Sequence, residues 1–293
     1  MDQRARPYRS TLYIPGSKAR ALDKARRLPA DAIIFDLEDA VALTEKQAAR
    51  DLLRQVLEEG GYGARAKICR INGFDTEWGR DDLAAMAACA PDAILIPKVE
   101  SPEPIRMAAA MLEDVPGCEA TEIWAMMETP RGILNVGEIV PAPRMGGLVM
   151  GTNDLAKELM IRNRADREPL LTSLQLCLLA ARAAGLTILD GVYNAFRDAE
   201  GLAAECAQGR DMGFDGKTLI HPDQIAAANA AFAPSTEEIA TAQRQIAAQA
   251  EAAACGEGVA VVDGRIVETL HIVTAKQTLA RAAAIAKLEE GVA

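Results

Sequence analysis

The sequence predicts an α/β fold, a (β/α)8 TIM barrel with a C-terminal helix–hairpin–helix extension. Short β-rich runs alternate with segments of helical periodicity at intervals of roughly 25 to 35 residues, which is typical of βα units. Eight such units favour a closed barrel over an open doubly wound sheet, which usually has about five to seven strands. Several of the runs also end in charged residues, and parallel α/β proteins bind their ligands at that end of the strands.

The eight predicted strands are short and mostly apolar. They span residues 10–15, 32–39, 66–72, 93–99, 122–129, 146–152, 187–192 and 216–220. Helical patterns lie between them, such as 44–59, which is rich in strong helix formers, and 170–184, which is apolar along one side.

The pattern changes after the eighth unit, which predicts a barrel over residues 1–233 and an extension over 234–293. The extension is predicted to contain a helix at 236–254, a hairpin at 259–267 and a last helix at 268–288. The Asp263-Gly264 step suits the tight turn of the hairpin. We expect the extension to cover the active site of its own or of a neighbouring subunit. The alternative is a helix packed on the side of the barrel.

Composition narrows the functional class. The chain of 293 residues has a formal net charge of −10, which argues against a general binder of nucleic-acid backbones. Six cysteines without a C-x-x-C pair indicate free thiols in a reducing compartment. No apolar run reaches the ~18 residues that span a bilayer, and no signal-peptide core follows the first residues, so the sequence predicts a cytoplasmic protein without membrane association.

Two acids at the ends of neighbouring strands indicate a metal site. Glu128 follows the fifth predicted strand and Asp154 the sixth, and both would point into the barrel mouth. They would repel each other unless a cation neutralised them, and Mg2+ is the ion that binds a few carboxylates together with water and substrate oxygens. With two histidines in the chain, zinc is disfavoured. The alternative is that each acid caps the helix that follows it.

Further charged residues converge on the same mouth. Asp36, Glu38 and Asp39 end the second strand, and alternation along a strand would let at most two of them face the mouth together. Arg70 ends the third strand, where an unpaired buried charge would be costly. Either a protein carboxylate or a substrate oxyanion would satisfy it.

The first strand leads into a candidate phosphate-binding turn. Gly16 and Ser17 precede Lys18, and Lys24 lies further along the predicted helix. Amide groups at a helix start can bind phosphate. Taken from composition alone, these lysines are more typical of an ordinary solvated basic face.

Several motifs together resemble one family, the citrate lyase β-subunit-like (HpcH/HpaI aldolase) family of CoA-ester enzymes. The motifs are Arg9 to Gly16, Phe35 to Val41, Arg70 to Asn72, Pro97 to Glu100, Glu128 to Gly132, Gly151 to Leu155, Gly213 to Lys217 and Ile220 to Gln224. They cover nearly the whole chain in order.

The resemblance implies a barrel, usually trimeric or hexameric, that binds Mg2+, for which Mn2+ can substitute, and an acyl-CoA. By motif, it implies that Glu128 and Asp154 are the metal ligands and that Arg70 contacts the thioester or acid oxygens, with the acids 36, 38 and 39 beside it in the catalytic set. Residues implied to hold CoA are Tyr13, Lys18, Lys24, Ile220 and His221.

Within the family, residues 213–224 and 259–268 most resemble the branch of malyl-CoA lyases and (3S)-malyl-CoA thioesterases. The lyases place an Asp after the hairpin as acid/base in a neighbour's active site, whereas this chain has Glu268. A carboxylate moved by roughly 1.5 Å changes which atom it can serve, so it could activate water against the thioester. The alternative is that Glu268 only favours the start of its helix.

The resemblance therefore implies hydrolysis of (3S)-malyl-CoA to malate and CoA. One alternative is a malyl-CoA or β-methylmalyl-CoA lyase, which releases glyoxylate and acetyl-CoA or propionyl-CoA. Another is a citrate lyase-type subunit that acts on a carrier-bound acyl group. An aldolase that acts on free 2-oxo acids would have no need of Lys18 and Lys24.

Overall fold

The computed structural model describes residues 6–255 and 259–291. The chain divides into two compact units, a barrel over Tyr8–Phe232 and a second unit that contains Ala233–Gly291. The division falls beside the predicted boundary at residue 233.

Eight strands form the barrel. They are β1 (Ser10–Pro15), β2 (Ala32–Asp36), β3 (Ala66–Arg70), β4 (Ala93–Ile96), β5 (Glu122–Met127), β6 (Met145–Met150), β7 (Thr187–Asp190) and β8 (Gly216–Leu219). Each pairs in parallel with the next, and β8 pairs with β1 through Ser10 and Lys217, so the sheet closes. The predicted (β/α)8 barrel is confirmed.

Helices follow the strands. They are α1 (Ala19–Ala25), α2 (Lys46–Glu59), α3 (Gly79–Ala87), α4 (Glu103–Leu112), α5 (Pro130–Leu134), α6 (Val136–Ile139), α7 (Thr152–Glu158), α8 (Leu171–Ala184), α9 (Ala199–Met212) and α10 (Ile225–Phe232). Short 3-10 turns precede α2, α8 and α10.

Side chains fill the barrel interior. A cluster that includes Ile34, Ile68, Leu95, Trp124 and Val149 is fully buried inside the sheet. These residues alternate along their strands with others that pack under the helices. The interior is therefore a packed core, and ligands are left to the residues just past the strand ends.

Seven of the eight predicted strands extend too far at their carboxyl ends, the exception being the first. The second was predicted to reach residue 39, but β2 ends at Asp36. Here the Asp36 carboxylate accepts hydrogen bonds from the backbone N–H groups of Glu38 and Ala40, which turns the chain out of the sheet. Side-chain capping of this kind competes with strand pairing.

The second unit contains two helices and a hairpin. They are α11 (Thr236–Ala254), β9 (Ala260–Val262), β10 (Arg265–Val267) and α12 (Thr269–Glu290). Ser235 and Glu238 form a reciprocal capping box at the start of α11. The hairpin is antiparallel, and Asp263 and Gly264 both have positive φ, as a type I′ turn requires.

All six cysteines are free, as predicted, and four of them are buried: Cys69, Cys118, Cys177 and Cys206. Among the described residues, no helix combines the length and the apolar character that crossing a membrane would require.

Candidate active site

The ends of β2 and β3 carry a buried ion pair. Asp36 and Arg70 are register partners in the sheet. Nε of Arg70 donates to Oδ1 of Asp36 over 2.7 Å and Nη2 donates to Oδ2 over 2.6 Å, a bidentate geometry. Burial lowers the pKa of Arg70, but Asp36 and the neighbouring acids outweigh it and hold that pKa well above its usual value. The sequence left a protein carboxylate and a substrate oxyanion as possible partners of Arg70, and the structure shows the protein carboxylate.

The turn after β2 adds two more carboxylates to this arginine. Oε2 of Glu38 lies 3.0 Å from Nη1 of Arg70, and Oδ2 of Asp39 lies 3.9 Å from it. Alternation of side chains along a strand does not restrict Glu38 and Asp39, because β2 has already ended at Asp36. All three predicted acids therefore gather around Arg70.

Lys98 links the turn that carries Glu38 and Asp39, the acidic turn, to the end of β5. Its Nζ lies 2.9 Å from Oε1 of Glu38, and its backbone N–H donates to Oε1 of Glu128 over 2.8 Å. Burial lowers the pKa of Lys98, but the hydrogen bond with Glu38 and the acids around it raise that pKa overall. Lys98 has a φ of +48°, an uncommon conformation for a residue with a side chain.

Tyr13, at the mouth end of β1, covers the guanidinium. The centre of that group lies 4.9 Å from the centroid of the Tyr13 ring, a cation–π contact with Arg70. The hydroxyl of Tyr13 points to the sulfur of Met126 at 3.8 Å. Burial raises the pKa of Tyr13 above its usual value.

Glu128 follows β5 and is only 2% exposed. Its Oε1 is held by the backbone of Lys98, whereas no donor among the described residues reaches Oε2. Burial raises the pKa of Glu128 to about 7, because nearby positive groups offset only part of the desolvation. The helix-cap interpretation of Glu128 is wrong: the hydroxyl of Thr129 caps α5 by accepting from the N–H of Gly132.

A glycine lets β6 approach Glu128 closely. A Cβ atom added at Gly151 would collide with the carboxylate and the Cβ of Glu128. Asp154 lies three residues later, in the first turn of α7, and is half-buried. It makes no capping hydrogen bond, because Gly151 occupies the N-cap position. The helix-cap interpretation of Asp154 is therefore wrong as well.

The donor set at this place fits Mg2+. Glu128 and Asp154 offer hard carboxylate oxygens, and Oε2 of Glu128 has no donor among the described residues. In the described residues, no group of three or more acids, histidines or cysteines is arranged as a metal cage. A site with two protein ligands leaves the other positions to water and substrate, as Mg2+ prefers. Their role as ligands stays a prediction.

The residues predicted to hold CoA lie on β1, at the start of and within α1, and just past β8, and β1 and β8 are neighbours in the closed sheet. The side chain of Lys18 is 60% exposed and lies 3.9 Å from Glu45, and Lys24 lies in the last turn of α1. Ile220 is 41% exposed just past β8. His221 stacks on Phe196 with the ring centroids 4.7 Å apart. Their contacts with CoA stay a prediction.

Glu268 belongs to the second unit, where it is the N-cap residue of α12. Its backbone N–H donates to Nδ1 of His271 over 2.9 Å. This position agrees with the helix-start interpretation. The catalytic role of Glu268 stays a prediction.

Sequence reasoning missed the residues behind the acidic turn. Lys46 is buried, and its Nζ donates to the carbonyl oxygens of Leu37 and Glu38. Asn72 and Asp82 complete the same network. A lysine at the start of an amphipathic helix resembles a solvated one, so nothing in the local pattern distinguishes it.

Comparison with known proteins gives the family. The family described as HpcH/HpaI aldolase/citrate lyase matches residues 9–222. A (3S)-malyl-CoA thioesterase from Cereibacter sphaeroides is 64% identical over 286 residues, which cover 98% of each chain. The β subunit of citrate lyase from Escherichia coli is 34% identical over 287 residues, covering 96% of this chain and 95% of that one.

Solved structures of similar fold point to the same family. The crystal structure of CitE from Mycobacterium tuberculosis, in complex with magnesium, acetoacetate and coenzyme A, has a TM-score of 0.77 and 32% identity. The match covers 96% of this chain and 99% of that one. The chain therefore belongs to the HpcH/HpaI aldolase/citrate lyase family.

Proposed function

We propose that this protein hydrolyses (3S)-malyl-CoA to malate and CoA, with Mg2+ as its cofactor. The observation that carries the proposal is the 64% identity, along 98% of both chains, with an enzyme named for that reaction. The mouth of the barrel supports it, because a carboxylate with a free oxygen suits Mg2+ and a fixed guanidinium suits an anionic acyl group.

Glu128 and Asp154 would hold the metal. When bound, Mg2+ neutralises these acids and polarises substrate oxygens. Carboxylate oxygens also suit Mn2+, which we expect to substitute. Both metals can be tested on protein treated with chelator, by adding each ion back and measuring turnover.

Arg70 is proposed to stabilise negative charge on a substrate oxygen near the reacting carbon. Two of its five N–H donors bind the carboxylate of Asp36, and Glu38 forms an ion pair with Nη1, so the group is held rigidly. In the described part of the chain, the only other acceptor within hydrogen-bonding distance is the sulfur of Met126, at 3.5 Å. The remaining donor capacity is available to a substrate oxygen.

Glu268 is proposed as the base, supplied to a neighbouring subunit of a trimer or hexamer. Water would lose a proton to this carboxylate and form a bond with the thioester carbon; the carbon–sulfur bond then breaks, and CoA leaves as a thiolate. Exposed apolar side chains on the hairpin and early α12 support association with another surface. They are Val259, Val261, Ile266, Leu270 and Val273.

Free thiols also support a place in the cytoplasm, because a reducing compartment keeps such cysteines unpaired.

The reaction can be tested with the purified chain, (3S)-malyl-CoA and Mg2+, while free thiol and trapped glyoxylate are both measured. Thiol together with malate supports hydrolysis. Glyoxylate together with acetyl-CoA would identify a lyase instead. No turnover of the free CoA ester, with turnover only of an acyl group on a carrier protein, would place the chain with citrate lyase subunits.

The role of Glu268 has its own test. Glu268→Gln should abolish hydrolysis, whereas Glu251→Gln, an exposed position on α11, should leave it unchanged. Circular dichroism and size-exclusion chromatography should show both variants folded and assembled like the parent. Unchanged turnover in Glu268→Gln would remove this residue from the mechanism.

A further inference from the structure

A buried ammonium group lies directly behind the acidic turn. Lys46, the first residue of α2, is 5% exposed. Its Nζ donates to the carbonyl oxygen of Leu37 over 2.8 Å, to that of Glu38 over 2.7 Å and to Oδ1 of Asn72 over 2.7 Å. These contacts use all three ammonium hydrogens. All three acceptors are neutral, so the charge is directed at the backbone of the turn.

A second set of contacts holds the same turn. Nδ2 of Asn72 donates to the carbonyl oxygen of Leu37 over 2.9 Å and to Oδ2 of Asp82 over 2.5 Å. Oδ1 of Asp82 accepts from Nε of Arg50 over 2.7 Å. Arg50 lies four residues after Lys46 on α2. It is a second buried cation, and it supports the acidic turn indirectly, through Asp82 and Asn72.

The turn carries Glu38, and Glu38 joins the two cations of the mouth. Its Oε2 lies 3.0 Å from Arg70 and accepts from the N–H of Asp39 over 2.9 Å, and its Oε1 lies 2.9 Å from Nζ of Lys98. Fixing both carbonyl groups at residues 37 and 38 fixes the direction in which this side chain leaves the backbone. The charge on Lys46 therefore acts on the mouth through one carboxylate.

Packing alone does not require an ammonium here. Burying a charge is costly unless every polar contact is made, and a methionine has nearly the same length without that cost. Burial also lowers the pKa of Lys46, although Glu38 and Asp36 oppose the shift. The buried ammonium group of Lys46 is explained by the three oxygen atoms that it holds in place, those of Leu37, Glu38 and Asn72.

We propose that Lys46 is a positioning residue for the reaction: its ammonium group, bound to two backbone carbonyls and to Asn72, holds Glu38 against Arg70 and Lys98 in the active orientation. The inference rests on the proposed function, because the effect is read from turnover of malyl-CoA.

The first test is Lys46→Met, compared with Arg54→Met as the matched control. Arg54 lies on the same helix, its side chain is 54% exposed, and its replacement removes the same charge. We expect kcat for consumption of malyl-CoA to fall about a hundredfold in Lys46→Met, the effect of misplacing a group by about 1 Å. KM should stay within about twofold, and the control should match the parent.

A double-mutant cycle with Glu38→Gln separates positioning from a general loss of stability. If Lys46 acts through Glu38, the loss caused by Lys46→Met should nearly disappear in the Glu38→Gln background. Unchanged kcat in Lys46→Met, or losses that multiply fully in the double variant, would overturn the proposal.

Two further measurements keep the test decisive. If Lys46→Met fails to fold, Lys46→Arg keeps the charge but presents a planar fork in place of a compact donor, so kcat should still fall; full activity would overturn the proposal. If the parent does not consume malyl-CoA, the proposed function fails. Positioning is then judged by crystallography, and a Glu38 carboxylate that keeps its contact with Arg70 in Lys46→Met would refute it.

Discussion

The buried carboxylate of Glu128 gives a prediction for the metal-free protein. Burial raises its pKa to about 7 in the folded protein, against 4.5 as the ordinary value. Between these two values the unfolded chain loses its proton while the folded chain keeps it. Folding stability must therefore fall as pH rises through this window, and the loss is complete above about pH 7.

The size of the effect follows from the shift. Each pKa unit corresponds to about 1.4 kcal/mol, so linkage between pH 5 and pH 8 gives a loss of about 2.5 kcal/mol. The loss should be absent in Glu128→Gln, which does not titrate. Glu103→Gln, an exposed position whose side chain is 70% accessible, should behave like the parent.

The assay is urea unfolding in chelator at both pH values, followed by far-ultraviolet circular dichroism. The quantity of interest is the stability of the parent minus that of Glu128→Gln, which cancels other titrating groups. Adding Mg2+ at pH 8 should then stabilise the parent but not the variant, because a ligand that binds only the folded state raises its stability. A difference that does not change between pH 5 and pH 8 would refute the reasoning about burial, and equal stabilisation by Mg2+ would exclude Glu128 as a ligand.

Three other substitutions test the site. Asp36→Asn breaks a buried bidentate ion pair and should lower the free energy of unfolding by about 3 kcal/mol, measured by urea titration. Asp23→Asn, an exposed control, should change it by less than about 0.5 kcal/mol in the same titration. Equal effects of the two substitutions would contradict the importance of the ion pair. Thr129→Ala removes the cap of α5 and should cost about 1 kcal/mol, which Thr129→Ser should largely restore; no loss in the alanine variant would show that the cap is unimportant. Gly151→Ala places a methyl group against Glu128 and should weaken Mg2+ binding measured by calorimetry, and unaltered affinity would argue that this carboxylate is not a ligand.

Much of the fold could be predicted from the sequence. The alternation of apolar runs and helical periods is local, and eight repeats leave a closed barrel as the economical arrangement. The same patterns put Glu128, Asp36 and Arg70 at strand ends, because a charge at the end of an apolar run has to leave the core. The predicted ends of the strands are less accurate. Asp36, for example, ends β2 by accepting hydrogen bonds from the backbone of the turn that follows.

The partners of each charge were decided only by the tertiary structure. The sequence left Arg70 open between a protein acid and a substrate, and both Glu128 and Asp154 open between capping and metal binding. Register in the closed sheet pairs Arg70 with Asp36, the hydroxyl of Thr129 takes the cap of α5, and Gly151 that of α7. Lys46 is buried only because α2 packs its first turn against residues from two other strand ends. Local patterns report which residues leave the core, but the hydrogen-bond partners of a buried charge come from distant parts of the chain, and only packing brings them within 3 Å of one another.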